Sequence, residues 1–225
     1  MKHTKILIAA AISLTLFSCK KNSSSSNSGV EFQLKTANRT SVVNSVMTAG
    51  SIVWTSGYAS ATEIKLEAKN SNQSQVEYKS QNKQKVDLFT SVASILGNVT
   101  LAPGTYTEVE FKIEMAPSGS DAALELDGSF TNGNTGVTVP VVFRVNSLFE
   151  IKGEKNNVVV TDNAGTTALT TLDLSLLTNG ITQLALSSAT VSGGTLVISS
   201  SSNSALYNII VANLQSHHEA EIGHH

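Results

Sequence analysis

An all-β fold, an antiparallel sandwich closed by a C-terminal helix, is what three features of this sequence predict. The first is alternation. In "TYTEVEFKIEM" Val109, Phe111, Ile113 and Met115 fall on one side while Glu108, Glu110, Lys112 and Glu114 fall on the other. That is the period of a half-buried strand with a solvated face. The second is composition: charged residues make up only 14% of the chain, while Ser, Thr, Asn and Gly are abundant and β-branched residues recur throughout. This balance fits an extracytoplasmic β protein better than a cytosolic enzyme. The third is punctuation, because Gly, Asn and Ser clusters separate short apolar runs at sandwich-like spacing. One cysteine in 225 residues leaves no disulfide framework, so the fold must stand on its core.

Taken in order, "VEFQL" at Val30–Leu34 alternates as a first strand. Ser51–Ala59 forms another, with Ile52, Trp54 and Tyr58 expected on one face. In "TEIKLEA", Ile64 and Leu66 point inward and Glu63, Lys65 and Glu67 outward, and "QVEYKS" pairs Val76 with Tyr78. Pro103 and Gly104 supply a turn before the long alternating strand. Later strands read from "ALELDGSF", "VTVPVVFRV", "LFEIKG", "NNVVVTD" and "GTLVISS", with Pro140 marking an edge or a break. "DLFTSVASILG" carries Leu88, Val92, Ile95 and Leu96 at helical spacing, which predicts a short helix or a packed loop. "TTLDLSLLTNGI" is ambiguous between strand and helix. "NSALYNIIVANLQ" places Leu206, Ile209, Ile210 and Leu214 on one stripe behind Asn203 as N-cap, which predicts the C-terminal helix. The connectivity expected is Greek-key, immunoglobulin-like or transthyretin-like.

The N-terminus has its own organisation. Lys2 and Lys5 precede an apolar run, Ile6 to Phe17, too short to cross a bilayer as a helix and right for a signal segment. Leu16, Phe17, Ser18 and Cys19 then resemble the lipobox of bacterial lipoproteins, with Phe17 bulkier than the usual residue there. The resemblance implies a thiol acylated at Cys19, with palmitate among the chains, and cleavage before it. Lys20 and Lys21 follow, where an aspartate would favour inner-membrane retention, so the outer membrane is the expected location. Its periplasmic and cell-surface faces are both open. "KKNSSSSNSG" reads as a tether, since it holds nothing to bury. The organisation expected is a signal peptide at 1–18, lipidated cysteine and tether at 19–29, a sandwich at 30–202, and helix with His-rich tail at 203–225.

A second resemblance rests on "VDLFTSVASILGNVTLAPGTYTEVEFKIEM". Val86, Asp87, Leu88, Leu101, Gly104 and Tyr106 are similar to a motif of uncharacterised envelope lipoprotein β-sandwich domains, with "LAPG" standing where that family has "LPAG". "VPVVFRVNSLFEIKG" and "TLDLSLL" resemble the family's second half. The resemblance implies fold and location, and no activity.

Catalytic signatures do not stand out. There is no Gly-x-Ser-x-Gly elbow, and four of the five histidines crowd the last nine residues. In that tail His217, His218, Glu221, His224 and His225 are candidate ligands for Zn²⁺, Ni²⁺ or Cu²⁺, with His217 and Glu221 on one face should the helix continue. A solvated, frayed terminus is the plainer reading. "HEAEI" lacks the second histidine of a zinc-protease helix. Asp127, Asn132 and Asn134 could offer oxygens to Ca²⁺, although hairpin turns use these residues for backbone reasons alone. Trp54 with Tyr58 could form a sugar platform, although a lone tryptophan more often fills a core. No basic cluster suits nucleic acid, and no cofactor is implied. The expectation is a non-catalytic, lipid-anchored binding or interaction module of adhesion or assembly type, its partner a protein or glycan. The competing class is capture of a glycan or metal for uptake.

Overall fold

The computed structural model describes residues 29–43, 50–72, 74–81, 83–161, 165–216 and 218–224. Cys19, the signal segment and nearly all of the tether lie outside them. The first strands are β1 (Gly29–Ala37), β2 (Thr40–Val43), β3 (Gly50–Asn70), β4 (Gln75–Ser80) and β5 (Gln84–Asp87). There follow β6 (Ser94–Thr100), β7 (Gly104–Met115), β8 (Leu124–Thr131), β9 (Thr138–Val145) and β10 (Phe149–Val160). The chain ends with β11 (Thr166–Asp173), helix α1 (Gln183–Ser187), β12 (Val191–Ser192), β13 (Thr195–Ile198), helix α2 (Ser204–Ser216) and β14 (His218–His224).

Two sheets result. The small one has the order β14-β11-β1-β6, with β1 parallel to β11 and antiparallel to β6. The large one is organised by β3, a strand of 21 residues. One side of β3 pairs with β8 along Ser51–Ala59 and with β7 along Ala61–Asn70. Its other side takes β2, β5 and β4 in succession. Strands β10 and β9 extend the sheet beyond β7 and β8 respectively, and β13 adds to β9 in parallel. The sheet therefore has two halves joined through β3. Beside that junction the chain leaves the ladder between β7 and β8, and again between β9 and β10.

The first half, β4-β3-β7-β10, packs under the small sheet. Phe32 of β1 meets Phe111 of β7 edge to face at 5.8 Å between centroids. Val109, Phe111, Ile113 and Met115 are all fully buried, as their alternation predicts. Gly153 of β10 lets β14 come close, because a Cβ there would overlap the Phe111 ring and Ala220. The second half is covered by helices instead. Leu206, Tyr207, Ile210 and Leu214 form the buried stripe of α2, with Tyr207 tilted on Phe143 at 6.0 Å. Ile209, expected in that stripe, is at its margin. Both halves belong to one contiguous apolar core.

Several expectations are corrected. Asp87–Gly97 forms no helix: β5 ends, a turn follows and β6 begins at Ser94. Leu88 is buried, but Val92 is 72% and Ile95 55% exposed, so the helical spacing marks no common buried face. "LFEIKG" and "NNVVVTD" belong mostly to one strand, β10. Asn203 stands before α2 at φ 54°, with its carbonyl accepting from the Tyr207 amide. Its side chain, however, holds Thr190 and the Val197 carbonyl rather than capping the helix. Pro140 is part of β9, one residue before β13 pairs at Val141, where that strand is still an edge. The C-terminal segment is no frayed tail. The helix stops at Ser216 and the chain returns as β14, which completes the small sheet, so the boundary drawn at 202 separates nothing structurally.

Candidate functional site

The junction of the two half-sheets is where side-chain alternation fails, and the failure makes a site. A register shift between Trp54 and Ser56 inserts a bulge into β3. A bulge swings the side chains that follow to the opposite face, until a second register shift between Ala61 and Glu63 restores the original sense. Ile52 and Trp54 consequently point into the core, whereas Tyr58 points out and Ala59 takes the inward place. The alternative of a Trp54–Tyr58 platform is not formed, and Trp54 fills the core, as a lone tryptophan more often does. Trp54 is 1% exposed, and its Nε1 donates to Ser41 Oγ at 3.1 Å. Ser41 in turn donates to the Leu174 carbonyl, in the short 3-10 helix Leu174–Leu176 that follows β11.

Tyr58 lies in an open trough of about 390 Å³ lined by Ser56, Gly57, Tyr58, Lys85, Asp87 and Asp127. Register explains the gathering. Asp87 on β5 stands opposite Tyr58, and Asp127 on β8 stands opposite Ser56 across the other edge of β3. Lys85 Nζ sits 3.8 Å from the Tyr58 ring centroid and 2.7 Å from Asp121 Oδ1. That hydrogen bond to Asp121 raises the Lys85 pKa, so the lysine is a fixed cation over the ring. The Tyr58 hydroxyl accepts from the Ala122 amide at 3.1 Å, which pins the ring from its far end. Asp87 accepts from the Phe89 amide at 2.8 Å and Asp127 from Ser56 Oγ at 3.2 Å, each through one carboxylate oxygen. The two aspartates lie on strands either side of β3 and two residues apart along it, about 12 Å between backbones, so they grip two ends of a ligand more readily than they share a proton. The chemistry available is a row of acceptors, one held cation and an aromatic ring, in an open groove.

A second electrostatic feature lies farther along β3. Glu63, expected on the solvated face, is buried. It pairs with Lys65 at 2.8 Å and Lys79 at 2.6 Å and accepts from Gln81 Nε2 at 3.3 Å. Hydrogen bonds from Lys65 and Lys79 outweigh the cost of burial and hold its carboxyl near pKa 2.

The sequence's metal candidates do not converge. His217 and His225 lie outside the described residues, and His224 ends β14 opposite Thr166. His218 and Glu221 sit on β14 an odd number of residues apart and so face opposite ways. Since α2 ends at Ser216, no helical face joins His217 to Glu221. His218 Nε2 bonds the Lys152 carbonyl at 2.7 Å, which makes Nε2 the protonated nitrogen. Its Nδ1 is buried, turned away from the solvent from which a metal would come. The Ca²⁺ candidates also separate. Asn132 Oδ1 accepts from the amides of Asn134 and Thr135 and from Gln183, closing the β8–β9 hairpin, while Asp127 lies back in the trough. Among the described residues no cluster of His, Cys, Asp and Glu is placed to hold a metal ion. No helix there is long and apolar enough to cross a membrane.

Of the trough residues, the sequence pointed to Asp127 and Tyr58, each for another purpose, while Lys85, like the Asp121 that holds it, carried no signal. Asp87 entered only through the resemblance to the lipoprotein domains. No family model, curated protein or solved structure matches this chain.

Proposed function

We propose that this chain is a lipid-anchored binding module of a Gram-negative cell envelope, held in the outer membrane through acylated Cys19 and acting without catalysis. The observation that carries the reading is the Leu16–Cys19 sequence, its cysteine ten residues before Gly29, where β1 starts. A tether of that length reaches roughly 15–35 Å from a bilayer. The fold supports it mechanically, since β1 is bonded on both sides by β11 and β6 rather than hanging at an edge. Load from an anchor would enter the middle of a sheet.

Metabolic labelling with an alkyne analogue of palmitate tests this. The native chain takes up label and sediments with membranes, and Cys19→Ser abolishes both. Equal labelling of the two chains would overturn the anchor.

A second reading, that the module captures a glycan, is favoured by the trough. Separated carboxylates and an aromatic ring are the groups that accept from sugar hydroxyls and stack on a sugar face. An array of neutral oligosaccharides, probed with the native chain and with Tyr58→Ala and Asp127→Asn, tests it. The expected result is a set of sugars bound by the native chain and lost in both variants. Binding indifferent to both substitutions, or no binding, would retire the trough as a sugar site.

A further inference from the structure

The outer face of the first half-sheet, opposite the core, carries its charges in stripes. Lys79, Lys65, Lys112 and Lys152 stand side by side on β4, β3, β7 and β10, one lysine per strand in register. Two residues along each strand, Glu77, Glu67, Glu110 and Glu154 form an equally complete acidic row. On the other flank of the lysines, Glu63, Glu114 and Glu150 form a third row. Neighbours within a row are about 4.8 Å apart and the rows about 6.8 Å apart.

This is not the pattern that stability alone favours. Like charges directly opposite one another on adjacent strands are unfavourable, and a checkerboard would put each lysine beside an acid on both sides. Here the relief comes along and diagonally between strands instead, through Lys65–Glu63, Lys79–Glu63, Lys112–Glu110 and Lys152–Glu150 at 2.6 to 3.3 Å. Three of these four pairs lean toward the Glu63 row. In the other acidic row only Glu110 has an ion-pair partner among the described residues. That row makes few ion pairs beside a full row of lysines, although Glu67 and Glu77 each accept from Gln75 Nε2.

Stripes of alternating sign can be self-complementary. Turn a second copy face down about an axis parallel to the rows and midway between the lysine row and the Glu77–Glu154 row. Each lysine then meets the acid of the same strand in the other copy: Lys65 meets Glu67, and Lys112 meets Glu110. The arrangement is isologous, so every contact occurs twice. On the outer flank Glu63 stays buried among its own lysines and Lys69 on its own Glu108, and the one mismatch is Glu114 against Glu108.

We propose that this striped face is a self-recognition surface through which two copies of the chain dock face to face. Four strands by three rows cover about 19 Å by about 20 Å, roughly 400 Å² per copy. That is the size of a weak, transient contact. Exposed ion pairs add specificity and orientation more than affinity. Copies held in one membrane would meet at a raised effective concentration, but the recognition itself needs only the face and does not depend on how the chain is anchored.

The test uses the full chain in non-ionic detergent, as a mixture of ¹⁴N and ¹⁵N protein treated with a carbodiimide that joins amines to carboxylates in direct contact. Mixed-isotope crosslinks between Lys112 or Lys152 and Glu110 or Glu154 are expected, falling about tenfold between roughly 50 mM and 500 mM salt as screening sets in. Lys112→Glu with Lys152→Glu should abolish them, and so should Glu110→Lys with Glu154→Lys. These lysines avoid the buried Glu63, and unchanged melting curves check that both variants fold. Mixing the two variants should restore association, because each altered row then faces its complement. Crosslinks confined to single-isotope species, or mixed species that survive either double substitution, would overturn the proposal. So would variants that fail to rescue one another.

Discussion

The two halves of the large sheet share β3 but are buried in different ways. The β4-β3-β7-β10 half is covered by another sheet, and its side chains alternate strictly from Glu108 to Met115. The β8-β9-β13 half is covered by α2 and the 3-10 turn, and β3 enters it through a bulge. Sheet-on-sheet packing needs every second residue inward over a long run, so it writes itself into the sequence. Packing under a helix and a turn is met by a few anchors, and the bulge then frees Tyr58 for the trough. The regular half carries the repetitive charged face and the irregular junction carries the groove.

The largest effects should come from the anchors of the two cores. Phe111→Ala in the first half and Phe143→Ala in the second should each cost about 3–5 kcal/mol. Both side chains are fully buried in one contiguous cluster. Denaturation of each variant should therefore remain a single transition when Trp54 emission, which reports the second half, is compared with far-ultraviolet circular dichroism. Separate midpoints for the two signals would show that the junction in β3 divides the molecule into two cooperative units, and the single-core description would fail.

A smaller effect tests the irregular half alone. Ser41→Ala removes the acceptor for Trp54 Nε1 and the donor to the Leu174 carbonyl, both buried. Leaving those groups without partners should cost about 1–3 kcal/mol. Trp54 emission should stay blue-shifted, since the ring keeps its apolar surroundings. A red shift toward emission in water would mean that Ser41 positions the indole rather than merely satisfying it.

What could be read from the sequence follows the same division. Val109 to Met115 identified β7 because its pattern is local and both its neighbours in the sheet are antiparallel. Tyr58 was assigned to the wrong face because a bulge is set by pairing with β8, some seventy residues away. Val92 and Ile95 mimicked a helical stripe by coincidence of spacing, while β6 is decided by its pairing with β1. The tail looked solvated because "HHEAEIGHH" is polar, yet Ile222 is buried and β11 supplies a strand partner. The trough draws Lys85, Asp87, Tyr58 and Asp127 from β5, β3 and β8, so its members are neighbours only once the sheet has closed. Each stripe is likewise assembled from three or four strands, and only the alternation within each strand was visible beforehand.

Glu63 gives the smallest effect at neutral pH and the sharpest contrast between the halves. Its partners Lys65 and Lys79 are partly solvated, so Glu63→Gln should change the melting temperature only modestly near pH 7. The pH dependence is the discriminating reading. A carboxyl held near 2, below its ordinary value of 4.5, contributes stability that is present above about pH 4.5. The contribution is lost as pH falls through about 2, because the unfolded chain takes up the proton first. Melting temperatures of the native chain should fall more steeply than those of Glu63→Gln across that window and converge with them at its acid end. Parallel curves would mean that the lysines do not hold the carboxylate. The first half-sheet would then owe its stability to its alternating apolar face alone, with the striped face adding nothing to the folding of a single copy.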